Sequence, residues 1–229
     1  MPNTSDPAAA PTKALWPPVA VPGQPDADRT AQEDAVAEPQ TSPSQPGPPP
    51  RPARRPTGHL RVLFAGRLSS EKGLEPLLQA VSATPSVELS IAAPRAQFHD
   101  LTPVIRQHGV HVRYLGWFRR QQLWKVFADH DVLAVPSTTL EAMGLVALEA
   151  QACGLPVLYQ PVPGLSEALS GSGLATDFTN ATTAAHDLHR LRTTPGLLEM
   201  LRASGRTNAA RFPLSTTVAA IADLGRRLA

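Results

Sequence analysis

A single cysteine, Cys153, among 229 residues rules out an intramolecular disulfide and fits a reducing, cytoplasmic compartment. Apolar runs are too short to span a bilayer as a helix, and nothing in the sequence indicates peripheral membrane contact. The first residues lack the basic start and apolar core of a secretion signal, so none is expected there. Neither a Walker loop nor a G-x-G-x-x-G fingerprint is present. None of the seven histidines has a cysteine or carboxylate at a recognised ligand spacing, so no metal is expected. Aromatics make up only 5% and the net charge is only +2, which leaves no stacking platforms or concentrated basic stripe for nucleic acid.

What is present is unevenly spread. Residues 1–58 hold fifteen of the 25 prolines and almost no apolar periodicity. Such a composition cannot bury enough surface to offset chain entropy, so a disordered tail with local polyproline II is expected. The remaining 171 residues, 59–229, suffice for one substantial core but not for two large domains. They carry sixteen bases against thirteen acids, with many of the arginines late, where helices would present them to solvent.

Within 59–229, strands and helices alternate. RVLFAG (61–66), VELSIAAP (87–94), HVRYLGW (111–117), DVLAVPS (131–137), PVLYQPV and LATDF read as strands. Helices are expected over GLEPLLQAVSA, with Pro76 in the first turn, and over roughly Leu101–His108. QQLWKVFADH, GLVALEAQAC and LSEALSGSG follow, and from about Thr182 helix is broken only at Pro195–Gly196 and Pro213. The alternation predicts an α/β fold: one Rossmann-like, doubly wound parallel sheet with a helical end. Ligands bind such sheets at the strands' carboxyl ends. The loops carrying Arg67, Lys72, Gly116, Glu141, Gly144 and Gly164 should therefore converge.

Two constellations carry chemistry. The first is EAMGLVALE, bracketed by Glu141 and Glu149. At 100° per residue, Leu145, Val146, Leu148, Ala152 and Cys153 fall within one half of a helix, with Glu149 near the centre of that arc and Gln151 on the far side. A carboxylate in an apolar stripe is costly unless something hydrogen-bonds it, which points to ligand hydroxyls meeting Glu149. Without that ligand, Glu149 is expected to be poorly compensated. Gly144 at the helix start leaves bare backbone N–H groups and a partial positive charge facing an anion, with Glu141 just outside. Gly154 and Pro156 mark the helix stop. The second is GRLSSEKG (66–73), whose Arg67 and Lys72 leave the first strand beside a helix start. A guanidinium fork and an ammonium together suit a diphosphate, although either could be an ordinary loop cation. Cys153 reads as a packing residue rather than a nucleophile.

Taken in order, FAGRLSSEKGLEPLLQAV, VRYLGWFRRQQLWKVFADHDVLAVPS, TLEAMGLVALEAQACGLPVL and PGLSEAL resemble the nucleotide-sugar-binding half of retaining GT-B glycosyltransferases. That group carries a Glu-x7-Glu signature, matched here by Glu141 and Glu149, and the resemblance covers about residues 61–176. It implies that Arg67 and Lys72, beside Gly66, neutralise the leaving diphosphate. It implies that Glu149 accepts from ribose hydroxyls and Glu141 faces the donor sugar. Backbone N–H groups at Met143, Gly144 and Leu145 would hold the sugar and distal phosphate, and the loop at Gly116 would hold the base. No metal or other cofactor is implied, since fixed cations and a helix end take the leaving charge.

Two departures stand out. Pro163 occupies a position where the family commonly has the first of two glycines. GT-B enzymes also place the active site between two Rossmann-like domains, and only the donor half is recognisable here, with the proline-rich tail in the other's place. Two readings remain open: a glycosyltransferase polypeptide, whether a fragment or one subunit completed by an acceptor domain from another chain or by a homo-oligomer, and a non-catalytic nucleotide-sugar-binding module or degenerate fragment.

Overall fold

The computed structural model describes residues 58–139, 141 and 143–213. The expectations for the tail up to residue 57 and for helix beyond Pro213 lie outside those residues. Six parallel strands form one sheet: β1 (Leu60–Ala65), β2 (Val87–Ala92), β3 (Val112–Gly116), β4 (Val132–Val135), β5 (Val157–Tyr159) and β6 (Leu174–Ala175), in the order β3-β2-β1-β4-β5-β6. Seven α-helices are described: α1 (Leu74–Ser82), α2 (Arg95–Gln107), α3 (Arg120–Ala128), α4 (Leu145–Ala152), α5 (Pro163–Leu169), α6 (Ala181–Thr193) and α7 (Leu197–Ala209).

Alternation along β1 sends its side chains to two separate cores. Leu60, Val62 and Phe64 pack with α1, α2 and α6, whereas Leu63 packs with α3, α4 and α5. This two-sided covering makes the sheet doubly wound and explains why its strands read as nearly continuous apolar runs. At the amino ends of β1 and β4, Arg61 clasps Asp131 with Nη2–Oδ1 at 2.6 Å and Nε–Oδ2 at 2.9 Å. That fork fixes the two central strands side by side, and the crevice lies at their other end.

Three elements differ from the sequence reading. Helix α2 begins at Arg95, six residues before the expected Leu101, and runs through Pro103. Proline at that point removes one N–H and does not stop the helix, and the polar stretch RAQFHD that reads as loop is anchored by Gln97, whose Oε1 accepts from the Leu68 N–H at 2.8 Å. Pro163 is the first residue of α5, where its fixed φ suits a helix start and its missing N–H is no loss. The third difference concerns which way α4 faces. Gln151, expected on the solvent side, is 1% exposed, while Leu145 is 59% exposed and Ala152 is exposed. The helical wheel assumed one covered face, but α4 is covered on two, because α7 packs against its back. Gln151 Nε2 donates to Ser172 Oγ at 2.7 Å, and Asn208 Nδ2 donates to Gln151 Oε1 at 2.9 Å, which satisfies the buried amide. The helix ends as expected at Gly154: its N–H bonds the Gln151 carbonyl and the Leu155 N–H bonds that of Ala150.

His130 gives the fold a pH dependence. It is 4% exposed and its Nδ1 lies 2.7 Å from the Val126 carbonyl oxygen. Burial holds its pKa below the ordinary 6.5, against a smaller opposing effect of that hydrogen bond. The unfolded chain therefore takes up this proton first as pH falls, so His130's contribution is complete above pH ~6.5 and is lost below it. The urea midpoint should drop between pH 7.5 and 5.5, and less so in His130→Gln. Identical drops in both proteins would show that His130 is not the group responsible.

Candidate functional site

Strands β1 and β4 are neighbours whose connections leave on opposite faces, so a crevice opens beyond their carboxyl ends. A cavity of about 670 Å³ lies there. From the β1 side it is lined by Gly66, Arg67 and Lys72, and from the β4 side by Pro136, Ser137, Glu141, Met143, Gly144, Leu145 and Glu149. Eight of the ten residues that the sequence places at the site thus share one cavity. Gly116 ends β3, where its carbonyl accepts from the Ala93 N–H at 3.0 Å; the next two residues, Trp117 and Phe118, line the cavity in its stead. Gly164 does not converge with them, because it belongs to the first turn of α5, one strand further from the crevice.

The two central loops touch through their backbones. Gly73 follows a 3-10 turn at Ser70–Lys72 and has φ 65°, and a Cβ there would overlap the Pro136 carbonyl oxygen. Beside it the Thr138 N–H donates to the Glu71 carbonyl at 2.9 Å. This contact holds Lys72 opposite Glu141, and their side chains form an ion pair. Ser137 Oγ also donates to Glu141 Oε2, at 3.3 Å. Across the cavity Glu149 Oε1 pairs with Arg120 Nη2 at 2.6 Å. The expectation of a poorly compensated Glu149 is corrected here: without ligand it has a cation, supplied by α3. On its strip of α4, Leu145 and Glu149 line the cavity and Ala152 is exposed. The Arg120 side chain is 60% exposed, and such pairs contribute only ~0–1 kcal/mol to stability.

Helix α4 starts on Gly144 at φ 61° with no side-chain cap. By contrast α6 is capped by Asn180, whose side chain accepts from the N–H groups of Thr182 and Thr183. At α4 the glycine, Leu145 and Val146 line the cavity, so uncapped donors and the positive end of the helix dipole adjoin Arg67 and Lys72. The opposite part of the cavity is apolar, with Phe118, Leu123 and the exposed Trp117. Cys153 is buried, and burial together with the Glu149 charge pushes its pKa up to about 11, which leaves no nucleophilic thiolate at neutral pH. Among the described residues no cluster of His, Cys, Asp or Glu could hold a metal ion, and no helix is long and apolar enough to cross a membrane.

Sequence reasoning missed Arg120, Trp117 and Ser137. Trp117 and Arg120 follow the carboxyl end of β3, and Ser137 follows that of β4, so the rule that located the other residues covers them as well. The pairing of Arg120 with α4 depends on tertiary packing and leaves no local signal.

An anion-directed crevice at the switch point of a doubly wound sheet defines a nucleotide-binding class of α/β protein. More narrowly, the chain belongs to the glycosyl transferases group 1 family, whose model matches residues 50–208. It is 34% identical over 191 residues to a D-inositol 3-phosphate glycosyltransferase of Streptomyces bingchenggensis, a match covering 74% of this chain and 41% of that one. In fold it is similar to sucrose-phosphate synthase from Thermosynechococcus elongatus (TM-score 0.68, 26% identity, 74% of this chain and 45% of that one). It is also similar to Anabaena HepE, crystallised with UDP and glucose (TM-score 0.66, 23% identity, 73% and 48%). The chain thus spans about two fifths of the length of the first of these relatives and less than half of the two structures.

Proposed function

We propose that the cavity binds a nucleoside-diphosphate sugar and that the chain serves transfer of that sugar, with retention, to an acceptor held by a second domain. The observation that carries this reading is the convergence of Arg67, Lys72 and the uncapped start of α4 in one cavity with Glu141 and Glu149. HepE, of the same fold, binds UDP and glucose, which is consistent with it. Arg67, Lys72 and the α4 N–H groups take the diphosphate, Glu149 accepts from ribose hydroxyls, and Glu141 faces the sugar. The apolar part beside Trp117 and Phe118 takes the base. In the transfer step the bond between the anomeric carbon and the diphosphate oxygen breaks, and its electron pair leaves with the diphosphate. The acceptor hydroxyl oxygen makes the new bond, and its proton passes to the departing diphosphate oxygen. The site's part is to stabilise the charge that grows on the departing oxygen, with donors already in place. No metal or other cofactor enters this scheme.

The second domain is proposed to come from another polypeptide or a second copy of this chain, with residues 59–229 folding as the donor unit. The test is a thermal-shift panel of UDP-, GDP- and ADP-sugars, since a ligand that binds only the folded state raises its melting temperature. One of them should stabilise the chain by several degrees at millimolar concentration, and no shift with any of them would overturn the reading. Purified residues 1–229 should transfer no sugar to a soluble acceptor. Robust transfer would show that a second polypeptide is not needed. The non-catalytic reading predicts the same donor binding, with no transfer even when an acceptor-domain protein is added.

A further inference from the structure

We infer that Arg120 is a positioning residue for donor binding: it holds Glu149 by one carboxylate oxygen so that the other meets the ribose hydroxyls. The inference rests on the nucleotide reading above and adds a residue to it. Arg120 is the first residue of α3 and follows Arg119 at the N-cap. Two cations at a helix N-terminus oppose the helix dipole, so local structure does not favour arginine there. Nor does the pair contribute much to stability, since the Arg120 side chain is 60% exposed and water reaches its charge. A residue that its own helix disfavours, and that stability does not require, points to what it faces.

What it faces is Glu149. The pair joins Nη2 to Oε1 at 2.6 Å, and both side chains line the cavity. A guanidinium close to one carboxylate oxygen restricts how the side chain can turn while leaving the second oxygen able to accept from a ligand in the cavity. Charge gives a second reason. Arg67, Lys72 and Arg120 line the cavity with Glu141 and Glu149, three cations against two carboxylates. Without Arg120 the lining side chains would be neutral in sum, and a diphosphate would meet an unpaired carboxylate at the ribose end. The arrangement parallels the other end, where Lys72 holds Glu141.

The test separates positioning from scaffolding through the sugar hydroxyls. Calorimetric titration of the full chain would compare UDP, GDP and ADP with their 2′,3′-dideoxy forms. The wild type should favour the hydroxylated form of whichever it binds by on the order of tenfold, the scale of hydrogen bonds to a charged acceptor. Arg120→Gln should reduce that preference to about twofold with the melting temperature nearly unchanged, and Arg120→Lys should restore part of it. Glu149→Gln should abolish the preference, and adding Arg120→Gln to it should change nothing further. If Arg120→Gln keeps the wild-type ratio, even with both affinities lowered, Arg120 acts on the phosphates or the scaffold and the inference falls alone. If the wild type binds none of the three, the nucleotide reading falls and takes this inference with it.

Discussion

Lys72→Ala should weaken nucleoside-diphosphate binding by ~2–3 kcal/mol, about 30- to 150-fold, while Arg67→Ala costs ~1–2 kcal/mol. The asymmetry follows from Glu141. Lys72 is both a phosphate donor and the partner of that carboxylate, which is 19% exposed and lines the same cavity. Removing the ammonium loses an attraction and also leaves a negative charge facing the ligand's own, in a site where water screens less than in bulk. Among the described residues Arg67 has no such partner to strand. The double variant Lys72→Ala/Glu141→Gln should therefore bind better than Lys72→Ala alone, although one charge-assisted contact is still missing. Titrating UDP, GDP and ADP into each protein tests this directly. Wild-type affinity in both single variants would remove the diphosphate from this cavity, and a double variant no better than Lys72→Ala would mean that Glu141 is not near the phosphates.

Much of this site is legible in the sequence, for a definite reason. A doubly wound sheet brings the carboxyl ends of its strands to one edge whatever the details of packing, so loop residues after apolar runs can be placed without knowing the structure. Arg67 and Lys72 after β1, and Glu141 and Gly144 after β4, follow from that rule; helix periodicity points to Glu149, and the family resemblance adds Gly66, Met143 and Leu145. Helix orientation is another matter. The periodicity of GLVALEAQAC shows that the helix has covered positions, but not how many neighbours cover it. Gln151 is buried because Asn208 and Ser172 reach it from sequence positions 57 and 21 residues away. Such polar partners are invisible to a helical wheel. Arg120 escaped for the same reason: its partner Glu149 stands on another helix, and the helix start where it sits gives no cause to expect it. Local chemistry and topology could be read from the sequence, whereas the pairing of polar groups across elements could not.

The largest effect on stability is expected at Gly73. An alanine there meets two separate costs. The left-handed backbone, at φ 65°, costs any L residue ~1–2 kcal/mol. The new Cβ would also overlap the Pro136 carbonyl oxygen and lie 2.9 Å from its carbon, both backbone atoms that cannot rotate away. Relief requires one loop to move off the other, which breaks the bond from the Thr138 N–H to the Glu71 carbonyl beside it. Gly109→Ala supplies the comparison, since Gly109 has nearly the same φ, 63°, and nothing within 4 Å of its Cβ position. It should lose only the backbone share, a fall of a few degrees in melting temperature. Gly73→Ala should lose ~3–5 kcal/mol, roughly 10 °C or more for a domain of this size. The two should differ in function as well. Parting the loops carries Lys72 away from Glu141, so the folded fraction of Gly73→Ala should bind nucleoside diphosphate more weakly, while Gly109→Ala should bind like the wild type. Equal melting temperatures in the two variants would mean that the β1 and β4 loops do not meet through their backbones. A destabilised Gly73→Ala that binds normally would mean that their contact supports the fold without setting the position of Lys72.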